Sequence, residues 1–453
     1  MNRRTGMIDR PDDIVIRLME RADRTGVPEY EVYVVQRRGL AIAAREGRIE
    51  QVRRQDELSA SLRMIDRGCP GFAYTTVFTN EAFERTVAQA RAGARLADAQ
   101  PGLGLPEPPV RPWPRVNGDD PSMSQVSQQE KMLGVLEMEA AALEVDRRVE
   151  RVRQAEYRES DTRVWLANSH GLEYQHAASV FTGGIMVKAA QDGEAEMGFE
   201  SDFSRIYRQL DLKAIGRQAA RRALNNLGGR RIGTGGYPVI LENRAAADFL
   251  GVLAGSFLAD HVHKGKSLLA GRKNLPVMAK EINLCDDGLF PGGLATSPAD
   301  GEGVPCQKTP LIDQGVLKGY LYDTTRARLD GMASTGNAGR GTKSPPGIQV
   351  TNFILSPGSK TPQDLAHELG DGLLVTDVMG MHTANAISGD FSVGVSGTWL
   401  RSGEPDHPVK GMALAGNILT MFRRVGGVGS DLRLFGTIGA PSLLVEGLTL
   451  SGL

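Results

Sequence analysis

The sequence predicts an α+β protein: an N-terminal α/β region of two helix–strands–helix units, then a predominantly β C-terminal domain around one buried helix. Three observations predict it. Helical and strand-like patterning recurs in the same order twice before residue 228. After residue 229, glycine-punctuated short β-like runs take over. Within that second part, Arg244 to Asp260 is apolar or small on most helical faces, the mark of a helix buried all round.

In the first unit (1–100), Pro11 to Gly26 reads as an amphipathic helix, with Ile14, Leu18 and Ala22 on one face and proline in the first turn, where it is tolerated. Glu31–Val35, Leu40–Ala44, Leu58–Met64 and Phe72–Phe78 read as strands, and a helix capped by Asn80 runs to about Ala97. Seven of the 21 residues from 101 to 121 are proline, so this stretch is a semi-rigid linker or a wrapped loop. The second unit (122–228) starts with a helix over Ser124–Leu143. Strands over Val149–Arg158, Arg163–Ala167 and Ser179–Ala189 follow, then a helix over Leu210–Asn226 stopped by Gly228-Gly229. The arginines gathered at 37, 38, 45, 48, 53 and 54 are read as solvated sheet faces balanced by Glu46, Glu50 and Glu57.

The domain 229–453 opens on an apolar strand, Val239-Ile240-Leu241, leading into the buried helix. Gly315–Tyr322, Gln349–Leu355, Leu373–Val378, Phe391–Leu400 and Ser442–Leu450 are the further strand candidates. Thr361, Pro362 and Asp364 mark a capped helix that closes before Gly370.

The 453 residues are 41% hydrophobic and 24% charged, with net charge −1, which argues against nucleic acid as a partner. No apolar run is long enough to span a bilayer, and the start, MNRRTGMIDRPDD, lacks the apolar core of a secretory signal. Cys69, Cys285 and Cys306 lie far apart and form no CxxC pair. Together these features place the expected location in the cytoplasm, with no membrane partner.

Common catalytic signatures fail on inspection. His367-Glu368 is the one His-Glu pair, and no histidine follows at zincin spacing. Gly265-Lys266-Ser267 ends like a phosphate loop but has Asp260 where the first glycine belongs. No G-x-S-x-G elbow occurs. One polar constellation stands out: His382, Asn385, Ser388 and Asp390 lie within ten residues between two β-like runs. It is a candidate lining for a substrate cleft, with a hydrogen-bonded turn as the plainer reading.

The back half carries several spaced motifs. They are Pro238-Val239-Ile240 with its helix, Leu294-Ala295-Thr296-Ser297-Pro298 followed by Asp300, Glu302-Gly303 and Val304, and Ala333 to Gly339. Ile387 to Ser392, Gly394, Trp399, Gly403 and Ala415-Gly416-Asn417 complete the set. In this order they resemble the TldD/PmbA (TldE) peptidase family, also labelled modulators of DNA gyrase. The resemblance implies a two-chain zinc metallopeptidase in proteolysis and peptide maturation, with a zinc-bearing TldD-type subunit and an accompanying PmbA/TldE-type subunit.

In the TldD-type helix the family places His-Glu, three residues, then His, with a cysteine near the C-terminus. Aligned through Lys264-Gly265 and Ser267, those helix positions fall on Leu250, Gly251 and Gly255, and the region of Thr437-Ile438-Gly439 offers no cysteine. A zinc peptidase needs imidazole or thiolate ligands and a carboxylate base. The resemblance therefore implies the PmbA/TldE-type subunit, with no catalytic residue and no cofactor of its own, zinc being expected in the TldD-type partner. His261 and His263 are the weak metal alternative: on a helix, a two-residue offset turns them about 200° apart. Unfolded peptide is the expected substrate of the pair, and the chain is expected either as a homodimer when alone or only beside its partner. The rival readings are a self-sufficient hydrolase with an unrecognised site and a homodimeric binding or regulatory protein.

Overall fold

The computed structural model describes residues 10–452, so most of the stretch read above for a secretory signal lies outside it. The chain opens with α1 (Pro11–Asp23), which has proline in its first turn and buries Ile14, Leu18 and Ala22. The strands β1 (Glu29–Arg45), β2 (Arg48–Asp66) and β3 (Cys69–Thr75) and the helix α2 (Asn80–Leu96) follow. After the linker come α3 (Gln128–Leu143), β4 (Val149–Asn168), β5 (Glu173–Gln191), β6 (Glu194–Ser204) and α4 (Leu212–Asn226).

The two stretches share one antiparallel sheet of order β3-β2-β1-β4-β5-β6, joined through β1 and β4. Five points differ from expectation. The separate runs at 31–35 and 40–44 are one strand, and so are those at 149–158 and 163–167. Each continuous ladder hydrogen-bonds the polar residues between its apolar runs. Strand β6 was not expected, because its acidic outer positions hide the alternation. Thr79, not Asn80, caps α2 by accepting from the Ala82 N–H, and α3 starts at Gln128 behind a Ser127 cap.

Alternation along β1 and β4 sorts the sheet's faces. Val32 and Val34 pack with α1 and α2, and Ile42 and Ala44 pack with α3 and α4, so all four helices cover one face. The other face presents Tyr33 and Leu166, which pack with Leu172 and Tyr174 of the same region and with Ala299 of the C-terminal domain.

That domain begins with β7 (Gly235–Leu241), α5 (Asn243–Ala254) and the short α6 (Ala259–His263), followed by β8 (Leu284–Asp287), β9 (Lys308–Asp313), β10 (Val316–Leu317) and α7 (Thr324–Leu329). It continues with β11 (Ala338–Gly339), β12 (Gly347–Ile348), β13 (Phe353–Leu355), α8 (Pro362–Leu369), β14 (Gly372–Met379), β15 (Asp390–Arg401) and β16 (Glu404–Asn417). It closes with α9 (Ile418–Arg423), β17 (Val425–Val428), β18 (Arg433–Phe435), β19 (Ile438–Ala440) and β20 (Leu443–Gly452). One sheet has the order β16-β15-β14-β7-β20-β17, and pairing of β16 with β20 closes it into a barrel. A second sheet has the order β10-β9-β8-β13-β19-β18. Helix α8 has the expected capping box: Thr361 accepts from the Asp364 N–H, and the Asp364 carboxylate accepts from the Thr361 N–H.

The buried helix is shorter than expected. It stops at Ala254, passes through a 3-10 turn at Gly255–Phe257 and resumes only as α6. The break has a cause in the backbone: Phe257 O accepts from Leu321 N at 2.8 Å and Ala259 N donates to Leu321 O at 3.0 Å, which pulls residues 257–259 out of helical bonding.

Candidate functional site at the buried helix

Helix α5 leaves the barrel strand β7 through a single residue, Glu242. Val239, Ile240 and Leu241 are buried because β7 is flanked by β14 and β20. On α5, Ala245, Ala246, Ala247, Phe249, Leu250, Leu253 and Ala254 are all buried in one core. The Phe249 ring stands edge-on to Phe391 of β15 with centroids 4.9 Å apart. Burial of such side chains stabilises by roughly 1.5–3 kcal/mol each.

Leu250 is 1% exposed within this apolar cluster. Gly251 sits on the side of α5 that meets β19: a Cβ built there would have Ile438 Cγ1 at 3.8 Å and nothing closer. Gly255 lies one turn on, and a Cβ there would stand 3.3 Å from His261 Nδ1 and 3.5 Å from its Cε1. The fold thus brings Gly251 and Ile438 together although they are distant in sequence, and it lays an imidazole over Gly255. The side chains of Leu250, Gly251, Gly255 and Ile438 offer no lone pair to a metal ion and no carboxylate to take a proton.

His261 and His263 stand on α6, not in a loop. His263 Nε2 is 2.8 Å from Asp330 Oδ1, whereas His261 faces Gly255. Two positions apart on a helix, they diverge by about 200°. Among the described residues, no group of three or more His, Cys, Asp or Glu side chains is placed to hold a metal ion.

The loop between β14 and β15 holds the polar constellation, and all four of its named residues are exposed. Asn385 Oδ1 accepts from the N–H groups of Ile387 (2.8 Å) and Ser388 (3.0 Å). Ser388 Oγ accepts from Asp390 N at 3.3 Å. Asn417 Nδ2 donates to Ser388 O (2.9 Å) and Asp390 Oδ1 (3.0 Å). The Asn417 bond, with help from Ser388, holds Asp390 below the ordinary carboxylate value. Asn385, Ser388 and Asp390 are therefore brought together, while His382 stands apart on a 3-10 turn at 381–383. Met381 and Ala384 anchor the loop on the core that contains α5.

The remaining motifs meet at the seam between the N-terminal sheet and the C-terminal domain. Arg63 of β2 donates to Glu302 at 3.3 Å and pairs with Glu31 of β1, and Glu31 also pairs with Arg340. Arg340 stacks over Tyr33, 4.3 Å from guanidinium carbon to ring centroid. Asp300 accepts from Ala338 N (2.9 Å) and Asn337 Nδ2 donates to Asp286 (2.7 Å), stitching Ala333–Gly339 to its neighbours. Sequence reasoning missed Glu31, Arg63 and Arg340. The available signal was a glutamate within the inward-facing apolar run Glu31–Val35.

The apolar helix α5 packs against both the closed barrel and β19 of the second sheet, and the N-terminal sheet that meets this domain carries its helices on the far face. Family models match along the chain: PmbA/TldA metallopeptidase domain 1 at residues 30–94, the central domain at 121–227 and the C-terminal domain at 234–452. The chain belongs to the PmbA/TldD metallopeptidase family. It is 27% identical to the metalloprotease PmbA of Escherichia coli O157:H7, over 93% of this chain and 92% of that protein. It is 30% identical to a metalloprotease TldD homolog of Buchnera aphidicola over 52% of each. The solved structure of a proposed DNA gyrase modulator from Thermotoga maritima superimposes with a TM-score of 0.90 at 27% identity, covering 97% of this chain and all of that one.

Proposed function

We propose that this chain is the PmbA/TldE-type, non-catalytic subunit of a two-chain zinc metallopeptidase of the cytoplasm, acting in proteolysis and peptide maturation. The observation that carries the reading is the face of α5. Where a ligand-bearing helix would present imidazole and carboxylate, Gly251 and Gly255 present none, and Ile438 fills the opposite wall. In the proposed pair, zinc belongs to a TldD-type partner, and this chain closes the chamber around the partner's metal. Unfolded peptide is admitted and held by backbone hydrogen bonds as an added strand, a mode that tolerates many side chains. Strand β18 supports this, because it is an edge of its sheet and runs beside α5, with Phe435 5.0 Å from the Arg244 guanidinium. The loop residues His382, Asn385, Ser388 and Asp390 line the approach in this reading.

Co-expression with a TldD-type chain tests it. The purified pair is expected to cleave an unstructured peptide well above the TldD-type chain alone, with zinc held by that chain only. Equal cleavage by the TldD-type chain alone would remove the role proposed here. Tightly held zinc in this chain purified by itself, with hydrolysis, would favour a self-sufficient hydrolase. A stable homodimer that ignores every TldD-type chain would favour the regulatory reading.

A further inference from the structure

A cavity of about 360 Å³ opens between the N-terminal sheet and the C-terminal domain, away from α5. Its walls include Tyr174, His176 and Ala178 of β5, Arg205 just after β6, and Ser297 and Ala299 of the C-terminal domain. The volume is in the range of small-molecule sites.

Arg205 is 7% exposed. Its Nη1 donates to Leu294 O (3.1 Å) and its Nη2 to Gly118 O (2.8 Å), so the guanidinium is fixed in place. Its Nε–H is buried and has no partner. No carboxylate among the described residues forms an ion pair with it; Asp119 acts on it only from farther away. A buried cation without a counter-charge is costly, and such a group normally finds one. The other basic groups in the walls do not share this state. Arg340 has a counter-charge in Glu31, although its Nε–H is also buried without a partner. His176 is kept neutral by burial and by the neighbouring Arg205 charge, its pKa pushed down to about 4.

We propose that this cavity binds a small monocarboxylate, with Arg205 as its counter-charge and the walls around Ala178 and Ala299 receiving an apolar body. One uncompensated charge suits a monoanion, and Arg340 Nε and His176 Nε2 in the same walls are further buried nitrogens without partners. A phosphate dianion would bring more charge than one uncompensated guanidinium can balance. The carboxylate could come from a free organic acid or from the C-terminus of a peptide, and the chemistry at Arg205 is the same for both. The proposal does not depend on the α5 reading.

Titration calorimetry on the full chain tests it. N-acetyl-leucine is expected to bind at least about tenfold more tightly than N-acetyl-leucinamide, the loss expected when a charge-assisted hydrogen bond is removed. Inorganic phosphate is expected to bind more weakly than the acid. Arg205→Gln should abolish the preference for acid over amide. Ala178→Leu, which fills the cavity and leaves Arg205 in place, should abolish binding of both, and it carries the test if Arg205→Gln does not fold. N-acetyl-alanyl-leucine set beside acetate separates the sources: tighter dipeptide binding marks a peptide C-terminus, and equal binding marks a free acid. Equal binding of acid and amide, or undiminished acid binding by either variant, would overturn the proposal.

Discussion

Arg340 of the C-terminal domain and Glu31 of the N-terminal sheet form an ion pair whose two side chains are wholly excluded from solvent. A second pair, Arg63 with Glu302, crosses the same seam in the opposite sense at 3.3 Å, with side chains 5% and 1% exposed. Each domain thus supplies one arginine and one carboxylate. The register between the N-terminal sheet and the loop after β11 is set by charge as well as by the apolar contacts of Tyr33 and Ala299.

Breaking one member of this network should be worse than removing a matched pair. Glu31→Gln or Arg340→Met is expected to lower unfolding stability by about 3–5 kcal/mol, because a buried charge loses its partner. The double variant should cost less than the sum of the singles. Denaturant unfolding monitored by circular dichroism, arranged as a double-mutant cycle, reads both quantities.

The same seam should respond to acid. Burial pushes Glu31 up, but Arg340 and Arg63 outweigh it and hold the carboxylate below its ordinary value of 4.5. At Glu200, burial is likewise outweighed by Arg244, Arg433 and Arg222. A depressed folded pKa contributes stability that is fully present above the unfolded value and lost as pH falls through the folded one. The unfolding midpoint should therefore change little through these groups from neutrality to about pH 5 and drop below that. Glu31→Gln should show a shallower drop, and an unchanged acid limb in that variant would contradict the assignment.

The two glycines of the α5 face should behave differently. Gly251 is helical and a Cβ there would meet Ile438 at an ordinary contact distance of 3.8 Å, so Gly251→Ala should stabilise by roughly 0.5–1 kcal/mol. It should also leave peptide cleavage by the proposed pair unchanged, since Gly251 carries no chemistry. Gly255→Ala meets the His261 ring at 3.3 Å and should gain less or lose stability. Adding His261→Ala should recover part of that difference. Thermal unfolding of the four proteins decides it.

The polar loop separates structural from functional importance. Asn385→Ala removes the acceptor for two exposed N–H groups and should cost under about 1 kcal/mol, since water can replace it. If the loop lines the peptide path, the same variant should lower kcat/KM of the pair several-fold with zinc content unchanged. Unchanged kcat/KM would leave the loop a hydrogen-bonded turn.

What was legible in the sequence was what short-range physics governs. The Thr361–Asp364 box is closed by bonds within four residues, so its letters suffice. The apolar run Val239–Leu241 and the helix after it announced a buried strand and helix, because burial on all sides leaves no polar periodicity. Strand β16 escaped notice because Pro405 and Pro408 interrupt it. They are tolerated because they precede the pairing with β20, which begins at Met412; there the other edge of β16 meets Arg230, whose N–H bonds to the Pro408 carbonyl and asks no N–H of proline.

The sequence alone determined the α+β class, the family and the side chains present at Leu250, Gly251 and Gly255. Only the folded chain decided that Gly251 faces Ile438, that His261 covers Gly255, that the buried helix ends at Ala254, and that Glu31 finds Arg340 309 positions away. Those outcomes rest on contacts between segments far apart in the chain, which no local pattern encodes. They exist because barrel closure and the seating of the sheet bring the segments together.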